Sequence, residues 1–223
     1  AQPADKDHPY GHRKYETFAS VAISILLFLI SFNLLRSAVA RFMNPVIPHV
    51  DLLSFIVMIT TIIVNVFVFT YERKKSRELS SDILYADAEH TKSDIFVSAS
   101  VIFTLLAIKA GFSVKIDTLV ASVISVLIAK SGFDILRASS YVLCDKTAIV
   151  SDNILRDVVM QIEGVKECHQ IRTRGRSDDI HVDLHILVSP SMHVDAAHNI
   201  TKDIEHRIKK KIKGVSDVIV HVE

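Results

Sequence analysis

Three groups of residues in this chain carry side chains and spacings that suit metal binding. The first is His90 and Asp94, four apart in Ala86-Asp87-Ala88-Glu89-His90-Thr91-Lys92-Ser93-Asp94. On a helix, residues i and i+4 lie one above the other, so an imidazole nitrogen and a carboxylate oxygen can reach one cation. The stretch opens a segment that otherwise reads as membrane-spanning, where a central Asp costs about 2.5–3.5 kcal/mol even on the lenient insertion scale. The competing reading is an ordinary polar helix start among lipid headgroups. The second group is Asp5, Asp7, His8 and His12 in Pro3-Ala4-Asp5-Lys6-Asp7-His8-Pro9-Tyr10-Gly11-His12. Pro9 and Gly11 disfavour a regular helix there, and a loop can fold three ligands around one ion. The third is a concentration of histidine: His169, His181, His185, His193, His198, His206 and His221 make seven of the chain's eleven. In Ile180–Val188 the apolar residues alternate, leaving His181, Asp183 and His185 on one face; His221 and Glu223 share a face by the same period. His181, His193 and His206 read as solvated surface residues. Zinc accepts such mixed nitrogen and oxygen donors.

The elements that must position these residues fall into two parts. The 223 residues are 49% hydrophobic and 23% charged, with mean hydropathy +0.33, which suggests an apolar part joined to a charged one. A net charge of +1 leaves no basic excess for neutralising phosphates, so nucleic acid is not an expected partner. Cys144 and Cys168 form no CxxC and imply no disulfide framework. No Gly-rich phosphate loop, HExxH or nucleophile constellation points to an enzyme.

Thr17–Leu35 and Leu52–Thr70 each run nineteen residues without a charge, enough to cross a bilayer. Pro45 and Pro48 break the connection between them. Ile95–Ile108 has only fourteen uncharged residues, so a crossing helix must extend back toward Ile83, drawing Asp94 and then His90 below the surface. Leu119–Ala129 likewise needs its flanks, with Lys130 and Arg137 snorkelling outward. A tight connection at Phe112-Ser113-Val114-Lys115 favours two spans over two helices of a soluble core. The expected membrane domain is therefore 1–146, with a loop at 1–16 and spans near 17–37, 50–71, 83–110 and 116–137. Lys6, Arg13 and Lys14 precede the first span, Arg73, Lys74, Lys75 and Arg77 follow the second, and Arg137 and Lys146 follow the last. That pattern puts both termini in the cytoplasm, with Arg36 and Arg41 as a minor exception.

Residues 147–223 read as a soluble domain. A helix at Ser151–Ile162 stops at Gly164; strands follow at Val165–Thr173 and Ile180–Val188; an amphipathic helix at Val194–Ile212 ends in Lys209-Lys210-Lys211; a strand at Val215–Val222 closes the chain. The fold class is thus a multi-pass α-helical membrane domain followed by a small α+β domain of order α-β-β-α-β, its helices on one sheet face.

The loop Asp-His-Pro-Tyr-Gly-His-Arg-Lys before a span, Ala-Asp-Ala-Glu-His-Thr-Lys-Ser-Asp opening a later one, and the histidine-bearing tail together resemble the cation diffusion facilitator family of metal/proton antiporters. The resemblance implies six spans, a cytoplasmic domain similar to metallochaperones, and a homodimer in the lipid bilayer. The first span here corresponds to the family's third, so the first two are lacking. It implies a tetrahedral transport site with two ligands from the fifth span, matched by His90 and Asp94, and two from the second. By the same resemblance Asp5, His8 and His12 match a loop metal site. His169, His185, His198, His221 and Glu223 match metal-binding positions of the cytoplasmic domain, with Glu223 where aspartate is common. Lys14 and Asp145 match a charge interlock between protomers.

The activity so implied is efflux of a divalent cation by alternating access in a bacterial inner membrane, with no enzymatic step. Because metal binding needs neutral imidazole and ionised carboxylate, protons and metal compete for one site. Zn2+ suits a histidine–carboxylate pair best, as substrate and as regulatory ligand of the tail, with Fe2+, Co2+, Cd2+ and Mn2+ also compatible. The alternative is a transport-dead relative that works as a metal-responsive dimerisation module.

Overall fold

The computed structural model describes residues 5–44, 52–110, 113, 115–147, 150–176 and 178–223. Pro45, Pro48, Phe112 and Val114 lie outside the described residues. The chain divides into two compact units, Ala1–Ser140 and Tyr141–Glu223.

The first unit is built on α1 (Arg13–Met43), α2 (Leu52–Leu79), α3 (Asp82–Lys109) and α4 (Lys115–Leu143), of 31, 28, 28 and 29 residues. At about 1.5 Å per residue each exceeds the roughly 30 Å of a hydrocarbon core. Their most apolar windows have mean hydropathies of 2.4, 1.9, 1.5 and 1.9, so all four are long and apolar enough to span. Packing is the reverse of a water-soluble bundle. Phe18, Leu26 and Phe32 of α1, Phe67 of α2 and Phe103 of α3 point outward, whereas Thr17, Ser20, Ser24 and Ser31 of α1 are buried. Small residues let helix backbones approach where lipid gives no hydrophobic drive. Ser31 Oγ donates to the Ser125 carbonyl at 2.8 Å, joining α1 to α4. A Cβ on Gly132 of α4 would stand 3.2 Å from the Ser24 carbonyl oxygen and 3.3 Å from Leu27 Cβ, so glycine sets this spacing. Arg41 of α1 and Asp117 of α4 add an ion pair of 2.7 Å. Ser81 caps α3, its hydroxyl accepting from the Leu84 N–H at 3.5 Å.

The second unit runs α5 (Asp152–Val159), β1 (Glu167–Arg176), β2 (Asp179–Leu187), α6 (Val194–Lys211) and β3 (Val215–Val222). Sheet order is β1-β2-β3: β2 pairs antiparallel with β1 and, through the α6 crossover, parallel with β3. Alternation decides which face is covered. Ile180, Val182, Leu184 and Ile186 of β2 are buried with Leu155, Val158 and Val159 of α5 and Ile204 and Ile208 of α6. Gly175, at φ +103°, turns β1 toward β2 where a Cβ would collide with the Asp179 carbonyl. His193, exposed as expected of a surface residue, also caps α6: its Nδ1 accepts from the Asp195 N–H at 3.4 Å. His181, by contrast, departs from the solvated reading. Its side chain is only 16% exposed, because β2 is the central strand and neighbours flank it on both sides.

Candidate metal sites

The buried face of α3 carries Ala86, Glu89 and Ser93, at positions i, i+3 and i+7. One step round the helix, His90 and Asp94 lie together on a half-covered face, with side chains 35% and 47% exposed. His90 Nε2 stands 3.9 Å from Asp94 Oδ2. Donors on one tetrahedral ion with bonds of about 2.0–2.1 Å sit about 3.4 Å apart, so a small side-chain adjustment lets this pair share a cation. The other ring nitrogen of His90 is buried and has no hydrogen-bond partner among the described residues. Two neighbours in sequence are tied to α2: Thr91 Oγ1 donates to Glu72 at 3.1 Å, and Glu89 pairs with Arg73 at 3.2 Å. These anchors escaped the sequence reading, which quoted Glu89 only as part of the motif.

In the loop before α1, Asp5 is the organiser. Its Oδ1 accepts the backbone N–H of His8 at 2.7 Å and of Asp7 at 3.0 Å, an Asx-type turn that folds the segment back on itself. His8 Nδ1 then lies 3.4 Å from Asp5 Oδ1 and His12 Nε2 lies 3.2 Å from Asp5 Oδ2. The His8 and His12 rings are 4.5 Å apart. The His8 backbone N–H above all holds the Asp5 carboxyl below its ordinary range, helped by Asp7 N–H and the His12 ring and opposed by slight desolvation. Asp5, His8 and His12 thus offer three donor atoms within 4.8 Å of one another. Tyr15, from the first turn of α1, was not anticipated: its hydroxyl meets His8 Nε2 at 3.2 Å.

The third group is a row across the uncovered face of the sheet. His169 of β1 is register partner of His185 on β2, and His185 of His221 on β3. Ring centroids along the row are 5.7 and 4.6 Å apart. Glu223 closes the row: Oε1 is 2.8 Å from His185 Nδ1, Oε2 is 3.3 Å from His169 Nε2, and His221 Nε2 is 3.8 Å from Oε1. The hydrogen bond from His185 holds the Glu223 carboxyl below its ordinary range, with the charges of the three imidazoles adding and slight desolvation opposing. His169, His185 and Glu223 bring three donor atoms within 4.8 Å, at spacings a tetrahedral ion accepts. His198, exposed on α6, is not in that cluster. It lines a concavity of about 490 Å³ together with Glu223, Met192 and Val222. Lys14 stands in the first turn of α1 and Asp145 just beyond α4, in different units.

The chain matches the model of the cation efflux transmembrane domain over residues 1–144 and that of the cation efflux protein cytoplasmic domain over residues 151–223. It is 30% identical over 223 residues to the manganese efflux system protein MneS of Bacillus subtilis, covering 100% of this chain and 76% of that protein. It is 27% identical over 222 residues to the cation-efflux pump FieF of Cronobacter sakazakii, covering 99% and 73%. A solved MamM CTD in a manganese form shares 25% identity at a TM-score of 0.31, covering 32% of this chain and 90% of that one.

Proposed function

This chain belongs to the cation diffusion facilitator family, and we propose that it exports a divalent cation in exchange for protons, using His90 and Asp94 of α3 as transport ligands. The observation that carries the reading is the pair itself. A histidine and an aspartate share one half-covered helical face, 3.9 Å apart, on a helix long and apolar enough to cross a membrane. Protons and metal compete for those donors, because the ion takes neutral imidazole and ionised carboxylate. Loading from the cytoplasm and proton return from outside would drive net efflux. Both termini then face the cytoplasm of a bacterial cell, and the exchanger sits in the inner membrane.

Zinc is the substrate the donor set favours, a nitrogen–oxygen pair being borderline in hardness. Manganese is the second reading, supported by the relative MneS, a manganese efflux system protein, and by the carboxylate. The C-terminal row would hold a regulatory ion on His169, His185 and Glu223, with His221 adjacent. An ion there would bind the imidazoles in their neutral form and cross-link β1, β2 and the end of β3. By the same family likeness we assign His198, beside the neighbouring concavity, as a further metal-binding position, and the working unit is a homodimer in which Lys14 and Asp145 pair between protomers near the membrane surface. Asp5, His8 and His12 form a further, loop-borne site.

The test is flux of Zn2+ and of Mn2+ in proteoliposomes, with internal pH followed at the same time, for the product of the complete gene and its Asp94→Ala variant. Metal entry coupled to proton exit that disappears in Asp94→Ala is the expected result. Undiminished flux in the variant would sink the assignment. Binding without flux in the unaltered protein would favour the metal-responsive dimerisation module instead.

A further inference from the structure

The geometry points to Glu89 as a positioning residue for the metal pair: through Arg73 of α2 and Ser131 of α4 it fixes the rotation of α3 that presents His90 and Asp94. The inference rests on the reading that this pair carries the transported ion. Glu89 is only 6% exposed, an unusual place for a carboxylate in a membrane-capable helix. Both its oxygens are engaged. Oε1 meets Arg73 Nη1 at 3.2 Å, and Oε2 accepts from Lys92 Nζ at 2.9 Å and from Ser131 Oγ at 3.2 Å. Arg73 is itself held, its guanidinium 4.5 Å from the Tyr85 ring centroid on α3. One carboxylate therefore ties α3 to α2 and to α4 at the residue immediately before His90.

The second anchor lies on the other side of the histidine, where Thr91 Oγ1 donates to Glu72 at 3.1 Å. His90 is thus bracketed by two residues bound to consecutive positions of α2. Successive residues of a helix are about 100° apart, so turning Glu89 and Thr91 toward α2 and α4 leaves one direction for His90 and, one turn on, Asp94. Rotation of α3 by even a fraction of a residue would swing both donors together, and the Glu89 contacts resist it. Charge matters beside geometry. Glu89 faces two cations, Arg73 and Lys92, close to where a dication must arrive, and the carboxylate offsets one of them.

The test compares metal transport by the complete gene product with Glu89→Gln, Ser131→Ala and His90→Ala, using Zn2+ and Mn2+ as probes and reading KM and kcat separately. Glutamine keeps the shape but turns one oxygen into an N–H donor facing Arg73 or Lys92, so one contact becomes donor against donor. Groups that orient metal ligands are commonly worth about 10–100-fold in metal affinity, so KM for the ion should rise about tenfold or more in Glu89→Gln with kcat changed less than about threefold. Ser131→Ala removes the α4 bond alone and should move KM in the same direction by less. It also answers the question if Glu89→Gln does not fold. A general stabilising role would lower the active fraction, and so kcat, at unchanged KM; that split would overturn the proposal. So would an unaltered KM in both variants while His90→Ala is inactive, and in that case the transport pair would stand. Full transport by His90→Ala would remove the pair and the positioning role with it.

Discussion

With zinc on the C-terminal row as proposed, replacing Glu223 by glutamine should remove about half or more of the stabilisation the ion gives that unit. The carboxylate is the common partner of the row, 2.8 Å from His185 Nδ1 and 3.3 Å from His169 Nε2. The unit has its own buried core, so its melting can be followed by itself as residues Tyr141–Glu223. A ligand at 100 times its dissociation constant stabilises the folded state by about 2.7 kcal/mol. For a domain of this size each kcal/mol moves Tm by about 4–8 °C, so zinc should raise Tm by about 11–22 °C. If losing one donor weakens binding about 10–100-fold, the same zinc concentration leaves about 0.4–1.4 kcal/mol, or about 2–11 °C. His206→Ala, on an exposed position of α6 away from the row, should keep the full shift. The pH dependence has two parts of known sign. Zinc takes imidazole only in its neutral form, so protons compete with the ion and the shift shrinks as pH falls. Without zinc, the lowered Glu223 carboxyl contributes stability above the ordinary carboxylate range, which is lost as pH falls through its lowered value. Circular dichroism melts with and without zinc read both. An undiminished zinc shift in Glu223→Gln would refute the placement of the ion on this carboxylate.

Two further outcomes follow from the core and the thiols. Leu184→Ala, at a fully buried position of β2, should cost about 2–5 kcal/mol in urea unfolding of the same unit; a cost under about 1 kcal/mol would mean the sheet and helices do not pack as described. Cys168 is buried and its thiol is pushed up by desolvation, with Arg156 opposing weakly, whereas Cys144 is exposed. Mass spectrometry after alkylation near neutral pH should show label on Cys144 first, since the thiolate is the reactive form, and equal rates would contradict the burial.

Much of the architecture was legible because each part obeys one strong period. Uncharged runs of nineteen residues announce α1 and α2, and the alternation from Ile180 to Ile186 announces β2 and the face it buries. Period two also placed His185 beside Asp183 and His221 beside Glu223. It could not say that His169, His185 and His221 align across three strands, since register is set by the bulge between His169 and Arg172 and by the α6 crossover. The same limit applies to His181, which period two places on the open face and the central position of β2 largely covers. In the loop, residue types suggested a site around Asp5, but the Asx-type turn that gathers it depends on backbone N–H groups no composition reveals.

Glu89 shows where such reading ends. Two of its three partners, Arg73 and Ser131, are 16 and 42 residues away along the chain, so no local pattern joins them to it. The available signal was indirect: a charge beside a metal-type motif in a segment where charge is costly. A buried ion pair is weak evidence for stability, because desolvation offsets most of the Coulomb gain. Simple stabilisation is therefore a poor account of Glu89, Arg73 and Lys92 lying together between helices. What such a network supplies well is direction, since a carboxylate with three donors has few orientations that satisfy them all. On α3 that direction is set next to His90, so one helix carries an anchored face and the face of the proposed metal pair, separated by a single residue step.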